Sequence, residues 1–335
     1  RPLALAVREK RTRAFGGTTV PHTVTVINDT GGTVDADLRV LLASDAGVSW
    51  EHSTPVHIRD GNVSKHVVAV PLPARDARTD CTIVTTLVSG RNVRERHERR
   101  IGVTPADALD ETWDFPRVAT FGDGSAAAIL RRHGVPCEAV ASLSEADPSA
   151  TPLLLLEKHA VRPGTTQNAE LRAFVERGGR AIILEQTASV MPGVELDNKP
   201  AERCHVRGGM RGLLSGLDAD DFAYWGDDPY GVEDSDSWVV VNPYRKPTSG
   251  PVRIFLHSAS GDFGNGGMFW TPMFETRCGD GLAIACQLRV TDKAHDHPSA
   301  LALLRRLLGY AASWEARETT TARVLDAAGR DGLTP

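Results

Sequence analysis

The sequence is poor in the features that would mark a metal protein, a membrane protein or a nucleic-acid binder. Its five cysteines, Cys81, Cys137, Cys204, Cys278 and Cys286, stand at long spacings with no C-x-x-C. That excludes a zinc ribbon and a thioredoxin-like motif. Cys278 and Cys286 flank an expected hairpin and could face each other; the plainer reading is reduced, partly buried thiols. No apolar run nears the ~20 residues that a membrane helix needs. There is no basic excess either: 38 Lys and Arg stand against 43 Asp and Glu, a formal net charge of -5. Nucleic acid and anionic membrane therefore find no electrostatic footprint.

What is present is an ordinary soluble composition, 41% hydrophobic and 24% charged, over 335 residues. That length suits two domains better than one. The chain starts at Arg1 and enters a β pattern at once, at residues 3–7. The expectation is a cut through a longer polypeptide, with any targeting segment lost to view. The compartment stays unknown, with secretion or a periplasmic location open for a soluble protein.

Residues 1–105 read as all-β. Apolar and polar residues alternate over 20–26, 37–42, 66–70 and 81–88, and a closing strand is expected over 98–103. Turn-forming clusters separate them, among them Gly16-Gly17, Asp60-Gly61-Asn62 and Ser89-Gly90-Arg91-Asn92. Short strands at that spacing, with no helical period, indicate a β-sandwich. Residues 106–116 read as a linker.

From 117 the pattern changes to strand, helix, strand. Strands are expected over 117–121, 136–140, 153–156 and 180–184, with helices over 125–133 and 166–177. Leu153-Leu154-Leu155-Leu156 is a continuous apolar run, as suits a parallel strand buried on both faces. This alternation means a doubly wound parallel sheet. Further strands are expected over 238–241 and 252–256, a hairpin over 273–288, and an amphipathic helix over 299–314 with Leu303, Leu304, Leu307 and Leu308 inward. The α/β domain is thus placed at 117–314. Residues 315–335 form a polar tail.

Two stretches resemble known families. Phe15-Gly16-Gly17-Thr18-Thr19-Val20 followed by Val26-Ile27-Asn28-Asp29 is similar to the immunoglobulin-like modules of glycoside hydrolase family 2. Residues 270–275 (Trp-Thr-Pro-Met-Phe-Glu) and 278–288 (Cys-Gly-Asp-Gly-Leu-Ala-Ile-Ala-Cys-Gln-Leu) resemble the glutamine-amidotransferase-like domain near the C-terminus of many β-galactosidase-like proteins. The fold class the resemblance implies is an immunoglobulin-like β-sandwich followed by a flavodoxin-like doubly wound parallel sheet. It also implies membership in a glycosidase acting on O-glycosidic bonds, of the β-galactosidase or β-glucuronidase kind.

Glycoside hydrolysis needs two placed carboxylates, carried in family 2-type enzymes on a barrel of about 250 residues, for which this chain has no room. The barrel is expected upstream, as the partner of an accessory region. An active amidotransferase needs a histidine-activated cysteine on a strand-to-helix turn. At that place the sequence reads Leu184-Glu185-Gln186-Thr187-Ala188-Ser189, and the glycines of a serine elbow are missing. His295 and His297 lie in the right region with nothing to activate. No catalytic residue is assigned.

Gly122-Asp123-Gly124-Ser125-Ala126-Ala127 matches G-x-G-x-x-A, with Glu138 as a candidate ribose acid. Against a dinucleotide stand the charge of Asp123 and the need of any chain for small residues at a turn. No cofactor is assigned. The acidic run Asp218, Asp220, Asp221, Asp227, Asp228, Glu233, Asp234 and Asp236 lacks calcium-loop spacing, so no metal is assigned. Aromatics interleave with it. Ring faces pack on sugar C–H surfaces while carboxylates accept hydroxyl protons. Trp225, Asp227, Asp228, Tyr230 and Trp238 are therefore the candidate carbohydrate-binding residues; the competing reading has the rings packing the domain.

The first reading is a non-catalytic accessory region of a glycoside hydrolase, with homo-oligomerisation open. A carbohydrate-binding module and a nucleotide-binding α/β protein are the alternatives.

Overall fold

The computed structural model describes residues 2–191, 193–227, 236–259 and 267–314. The fold is a sheet-rich α/β fold whose chain divides into two compact units. One unit comprises Arg1–Ala108, Tyr224–Ser237 and Asp296–Pro298; the other comprises Leu109–Ala223, Trp238–His295 and Ser299–Pro335. The first unit thus recruits two short segments that the sequence pattern assigned to the α/β domain. The polar tail at 315–335 lies outside the described residues. No helix among the described residues is long and apolar enough to cross a membrane.

The first unit is all-β. Its strands are β1 (Leu3–Val7), β2 (Arg13–Phe15), β3 (Thr19–Asn28), β4 (Val34–Ser44), β5 (Gly47–Ile58), β6 (Asn62–Pro71), β7 (Thr79–Ser89) and β8 (Asn92–Thr104). They form a three-stranded sheet, β1-β3-β6, and a five-stranded sheet, β2-β8-β7-β4-β5. Alternate residues of both sheets meet in shared cores: Val20, Val68 and Val70 from one, Val40, Leu42, Ile83, Ile101 and Val103 from the other. β5 went unread in the sequence because its residues 47–55 are exposed or half-buried, so no alternation shows.

This core also holds charge. The Glu9 carboxylate accepts the Thr23 N–H at 2.6 Å, and Arg11 lies 3.3 Å from Asp227. His22 is fully buried on β3, its Nε2 2.7 Å from the Thr85 hydroxyl. Burial, helped by Arg99, pushes its pKa down from 6.5 to about 4. The native state therefore binds fewer protons than the unfolded chain below pH 6.5. Stability is whole above that pH and is lost as pH falls towards 4, by on the order of 3 kcal/mol in all. A His22→Gln variant is expected to lose less stability between pH 7 and pH 4 than the parent, by about that amount. Urea denaturation at both pH values measures it; parallel pH profiles would rule out a neutral buried imidazole at this position.

The second unit contains β9 (Val118–Phe121), α1 (Ser125–Arg132), β10 (Cys137–Ala139), β11 (Leu153–Leu156), α2 (Gln167–Glu176), β12 (Arg180–Ile183), β13 (Cys204–Val206), β14 (Tyr244–Arg245), β15 (Val252–Ser258), β16 (Trp270–Cys278), β17 (Gly281–Cys286), α3 (Val290–Lys293) and α4 (Pro298–Ser313). The sheet order is β10-β9-β11-β12-β17-β16-β15-β13, with β14 beside β16. The pairs from β10 through β17 are parallel, and the extension beyond β17 is antiparallel. In β11, Leu154 and Leu156 pack with Leu171, Phe174 and Val175 of α2, while Leu153 and Leu155 are equally buried on the opposite face. Gly179 is required at its position: a Cβ there would lie 2.3 Å from the Phe174 ring. Arg180, at the start of β12, donates to the Ala311 and Ala312 carbonyls at 3.1 and 2.7 Å, a cation on the last turn of α4.

Three expectations change here. The strand expected over 238–241 is reduced to bridges, Val240 meeting Ala201 and Leu288. The 106–116 segment is not a bare linker: Trp113 is buried and stacks on His133 with centroids 4.0 Å apart. Cys278 and Cys286 do not face each other; their partners across the hairpin are Gly281 and Met273, and all five cysteines are free.

Candidate functional site

In an open parallel sheet, ligands gather beyond the carboxyl ends of the strands. In the second unit that edge is built by the turn after β9, the residues after β11 and β12, and those after β17. Glu157 follows the four leucines of β11 and is fully buried. Its Oε1 accepts the Ala127 N–H at 2.9 Å, and its Oε2 accepts the Gly124 N–H. The carboxylate thus satisfies two backbone donors at the start of α1, where an anion is favoured. Gly122 makes room for it: its φ is 152°, and a Cβ would lie 2.4 Å from the Glu157 Cβ.

This accounts for the G-x-G-x-x-A match. The turn carries its own anion, and a pyrophosphate would have to displace a buried carboxylate to bind there. The Glu157 carboxylate on these N–H groups weighs against the nucleotide-binding alternative. Glu138, the candidate ribose acid, is exposed and paired with Arg117 at 3.2 Å. Burial pushes the Glu157 carboxyl up, the Ala127 and Gly124 amides oppose that, and Asp123 adds to it. Ser125, whose N–H donates to Asp123 Oδ1 at 2.9 Å, holds the Asp123 carboxyl low.

Beside Glu157 the edge is closed by ion pairs and amides. Lys158 reaches Asp292 at 2.5 Å and Glu185 at 3.8 Å, and Arg289 stands 3.5 Å from Asp292. His159 sits at φ 55°, its N–H on the Glu185 carbonyl at 2.8 Å, and burial lowers its pKa. Gln186 occupies the position where an amidotransferase-like sheet would present its nucleophile. It is fully buried. Its Oε1 accepts the Val161 N–H at 3.0 Å, and its Nε2 donates to the carbonyls of Glu157 (2.7 Å) and Leu184 (2.9 Å). Its own N–H donates to the Gln287 side chain at 2.6 Å, and Gln287 returns a bond of 3.3 Å to the Gln186 carbonyl. Each polar group of this glutamine is committed to holding three chain segments together.

Burial favours the protonated form of the thiols. Cys286 and Cys204 are fully buried, which pushes Cys286 up to about 12 and Cys204 higher still. Burial also raises Cys81, Cys137 and Cys278. Imidazole–hydroxyl contacts join His22 to Thr85, His66 to Ser64 and His52 to Thr54, all in the first unit. No group of three or more metal-ligating side chains occurs among the described residues. An apolar cleft of about 280 Å³ opens elsewhere in this unit, between α2 and β16, lined by Leu171, Val175, Met191, Val252, Phe274 and Ala283 among others.

Of the candidate sugar-binding residues, Trp225, Asp227 and Trp238 are among the described ones. Trp225 is fully buried; its N–H bonds the Ser237 carbonyl at 3.1 Å, and its ring stacks on His297 at 5.6 Å. Its ring faces are used in packing. Asp227 is engaged by Arg11. Burial raises its carboxyl, with Arg11 and Arg99 opposing. Trp238 is half-buried and belongs to the second unit. Asp228 and Tyr230 lie outside the described residues. The acidic run is partly structural: Asp218 and Asp221 cap a short helical turn reciprocally, and Asp221 also accepts the Ser299 hydroxyl at 2.8 Å. Glu157 and Gln287 were missed by sequence reasoning. The signal available was position, a polar residue directly after a strand buried on both faces.

No family model matches the chain, and no curated protein does. Among solved structures, a glycoside hydrolase family 2 β-glucuronidase is similar at 13% identity and TM-score 0.25, over 56% of this chain and 21% of that one. A cycloisomaltooligosaccharide glucanotransferase from Paenibacillus sp. is similar at 13% identity and TM-score 0.27, over 53% and 27%. The sporulation control protein Spo0M of Bacillus subtilis is similar at 17% and TM-score 0.24, over 32% and 51%. The chain covers less than two thirds of each of these structures, and similarity of this size leaves the reading to the geometry.

Proposed function

We propose that this chain is a non-catalytic accessory region of a glycoside hydrolase, an immunoglobulin-like sandwich joined to a flavodoxin-like, glutamine-amidotransferase-like unit without a nucleophile. The observation that carries it is Gln186: at the site of a nucleophile stands a buried amide bound to the backbone on every side. The flavodoxin-like assignment is supported by the order of the five parallel strands, second-first-third-fourth-fifth in the chain order of that set. The glycosidase assignment rests on the resemblance carried by residues 15–29 and 270–288. In this reading the partner is an upstream catalytic barrel of the same polypeptide, and carbohydrate contacts through Asp227, Asp228, Tyr230 and Trp238 belong to the same proposal, as does association with a second copy.

Two measurements test it. The chain is expected to release no nitrophenol from aryl β-galactosides or β-glucuronides and no ammonia from glutamine. Turnover that survives repurification and disappears in a point variant would contradict the reading. The coding region ahead of Arg1 is expected to encode a βα barrel with two facing carboxylates; any other catalytic fold there would also sink it.

A further inference from the structure

The antiparallel extension of the second unit gathers four basic side chains. His205 on β13 stands directly opposite His257 on β15. Side chains directly opposite in an antiparallel pair share a face, and so do residues two apart on a strand. Arg207 follows His205 by two, its N–H on the Phe255 carbonyl at 2.8 Å. Lys246 follows β14, its N–H on the Phe269 carbonyl at 2.8 Å, one residue before the Trp270 that pairs with Ser258. The four therefore converge from two neighbouring strands, β13 with the residue just past it and β15, and from the end of a third, β14.

Nothing among the described residues neutralises them. Four other cations of this unit are paired: Lys158 with Asp292, Arg305 with Glu111, Arg172 with Glu176 and Arg117 with Glu138. His257 feels burial first, then Lys246, Arg207 and His205, every one lowering its pKa, to about 4. Burial and Arg207 lower Lys246 in turn. Two nitrogens are buried without a hydrogen-bond partner, Arg207 Nε and His257 Nδ1. Two half-buried cations beside imidazoles, with unmet nitrogens among them, are the complement of an anion.

We infer that Arg207, Lys246, His205 and His257 form a binding site for a dianionic tetrahedral oxyanion, phosphate or sulfate, free or carried on a sugar. Two permanent cations match the two charges. The neutral His257 imidazole supplies a directional donor when its tautomer places the proton on Nδ1. A carboxylate offers one charge and two oxygens and fills such a site less well. The proposal does not depend on the accessory role.

The test is calorimetry at pH 7 and low ionic strength, with inorganic phosphate, glucose 6-phosphate and acetate as separate titrants, alongside the histidine ring resonances. The expected result is one saturable site for phosphate with His205 and His257 resonances moving together, and acetate weaker by about tenfold or more. Arg207→Gln and Lys246→Met are each expected to weaken phosphate by about tenfold, while Arg305→Gln, at a paired surface cation, leaves it unchanged. Tighter glucose 6-phosphate than phosphate would identify an anion carried on a sugar, and the reverse a free one; both support the site. No saturation below about 10 mM phosphate, equal binding of acetate, or full affinity in both variants would overturn it. The resonance readout on the unaltered chain keeps the test valid if a variant folds poorly.

Discussion

Gln186→Leu is expected to destabilise the second unit by about 3–5 kcal/mol. The leucine fills similar volume, so the loss comes from polar groups rather than from a cavity. Three backbone groups lose their partner together: the Val161 N–H and the carbonyls of Glu157 and Leu184. Each buried group left unmet costs about 1–3 kcal/mol. The Gln287 side chain still meets the residue-186 N–H, which limits the damage. Gln186→Glu is expected to be at least as harmful at neutral pH, because a carboxylate would face two carbonyl oxygens with no donor to offer. Urea denaturation gives the global loss, and hydrogen exchange at Val161 gives the local one. A loss under about 1 kcal/mol with Val161 still protected would mean that the glutamine is not the clamp described here.

Trp225→Ala is expected to cost about 3–5 kcal/mol, the range for removing a buried aromatic side chain. The ring is fully buried and stacked on His297. A tryptophan serving as a sugar platform would behave otherwise: its removal would abolish binding and change stability by less than about 0.5 kcal/mol. Trp225→Phe should recover much of the loss, since most of the apolar surface stays. Thermal and urea melts on the three proteins, with galactoside and glucuronide calorimetry on the same samples, separate core ring from ligand platform in one comparison. Stable Trp225→Ala that no longer binds sugar would restore the platform reading.

Much of the fold was legible because its cues are local. The alternation in β3, β4, β6 and β7 is visible since one face of each strand is buried and the other is not. The leucines of β11 declare a strand buried on both faces, and the glycines after α1 and α2 mark where each helix stops. The failures were of the opposite kind. β5 gives no period because it is an edge strand with little burial over most of its length. The acidic and aromatic run from 218 to 238 looks like a ligand loop in one dimension. In three, Asp218 and Asp221 cap a turn, Asp227 meets Arg11, and Trp225 enters a core. Those outcomes depend on partners far away in the chain.

The sequence by itself determined the strands with one buried face, the parallel strands and helices from β9 to β12, the change from all-β to α/β character near residue 117, and the want of a thiol after β12. Hydrophobic period and residue identity are local properties, so a linear reading reaches them. Only the tertiary structure decided what polar residues do. Glu157 fills the helix start that the glycine pattern offered to a phosphate, and Gln186 binds three segments together at the edge of the sheet. The basic quartet of His205, Arg207, Lys246 and His257 was invisible in the chain because up to 52 residues separate its members. The physical reason is common to all three: a hydrogen bond or a charge acts over a few ångströms in space, and sequence separation does not record that distance.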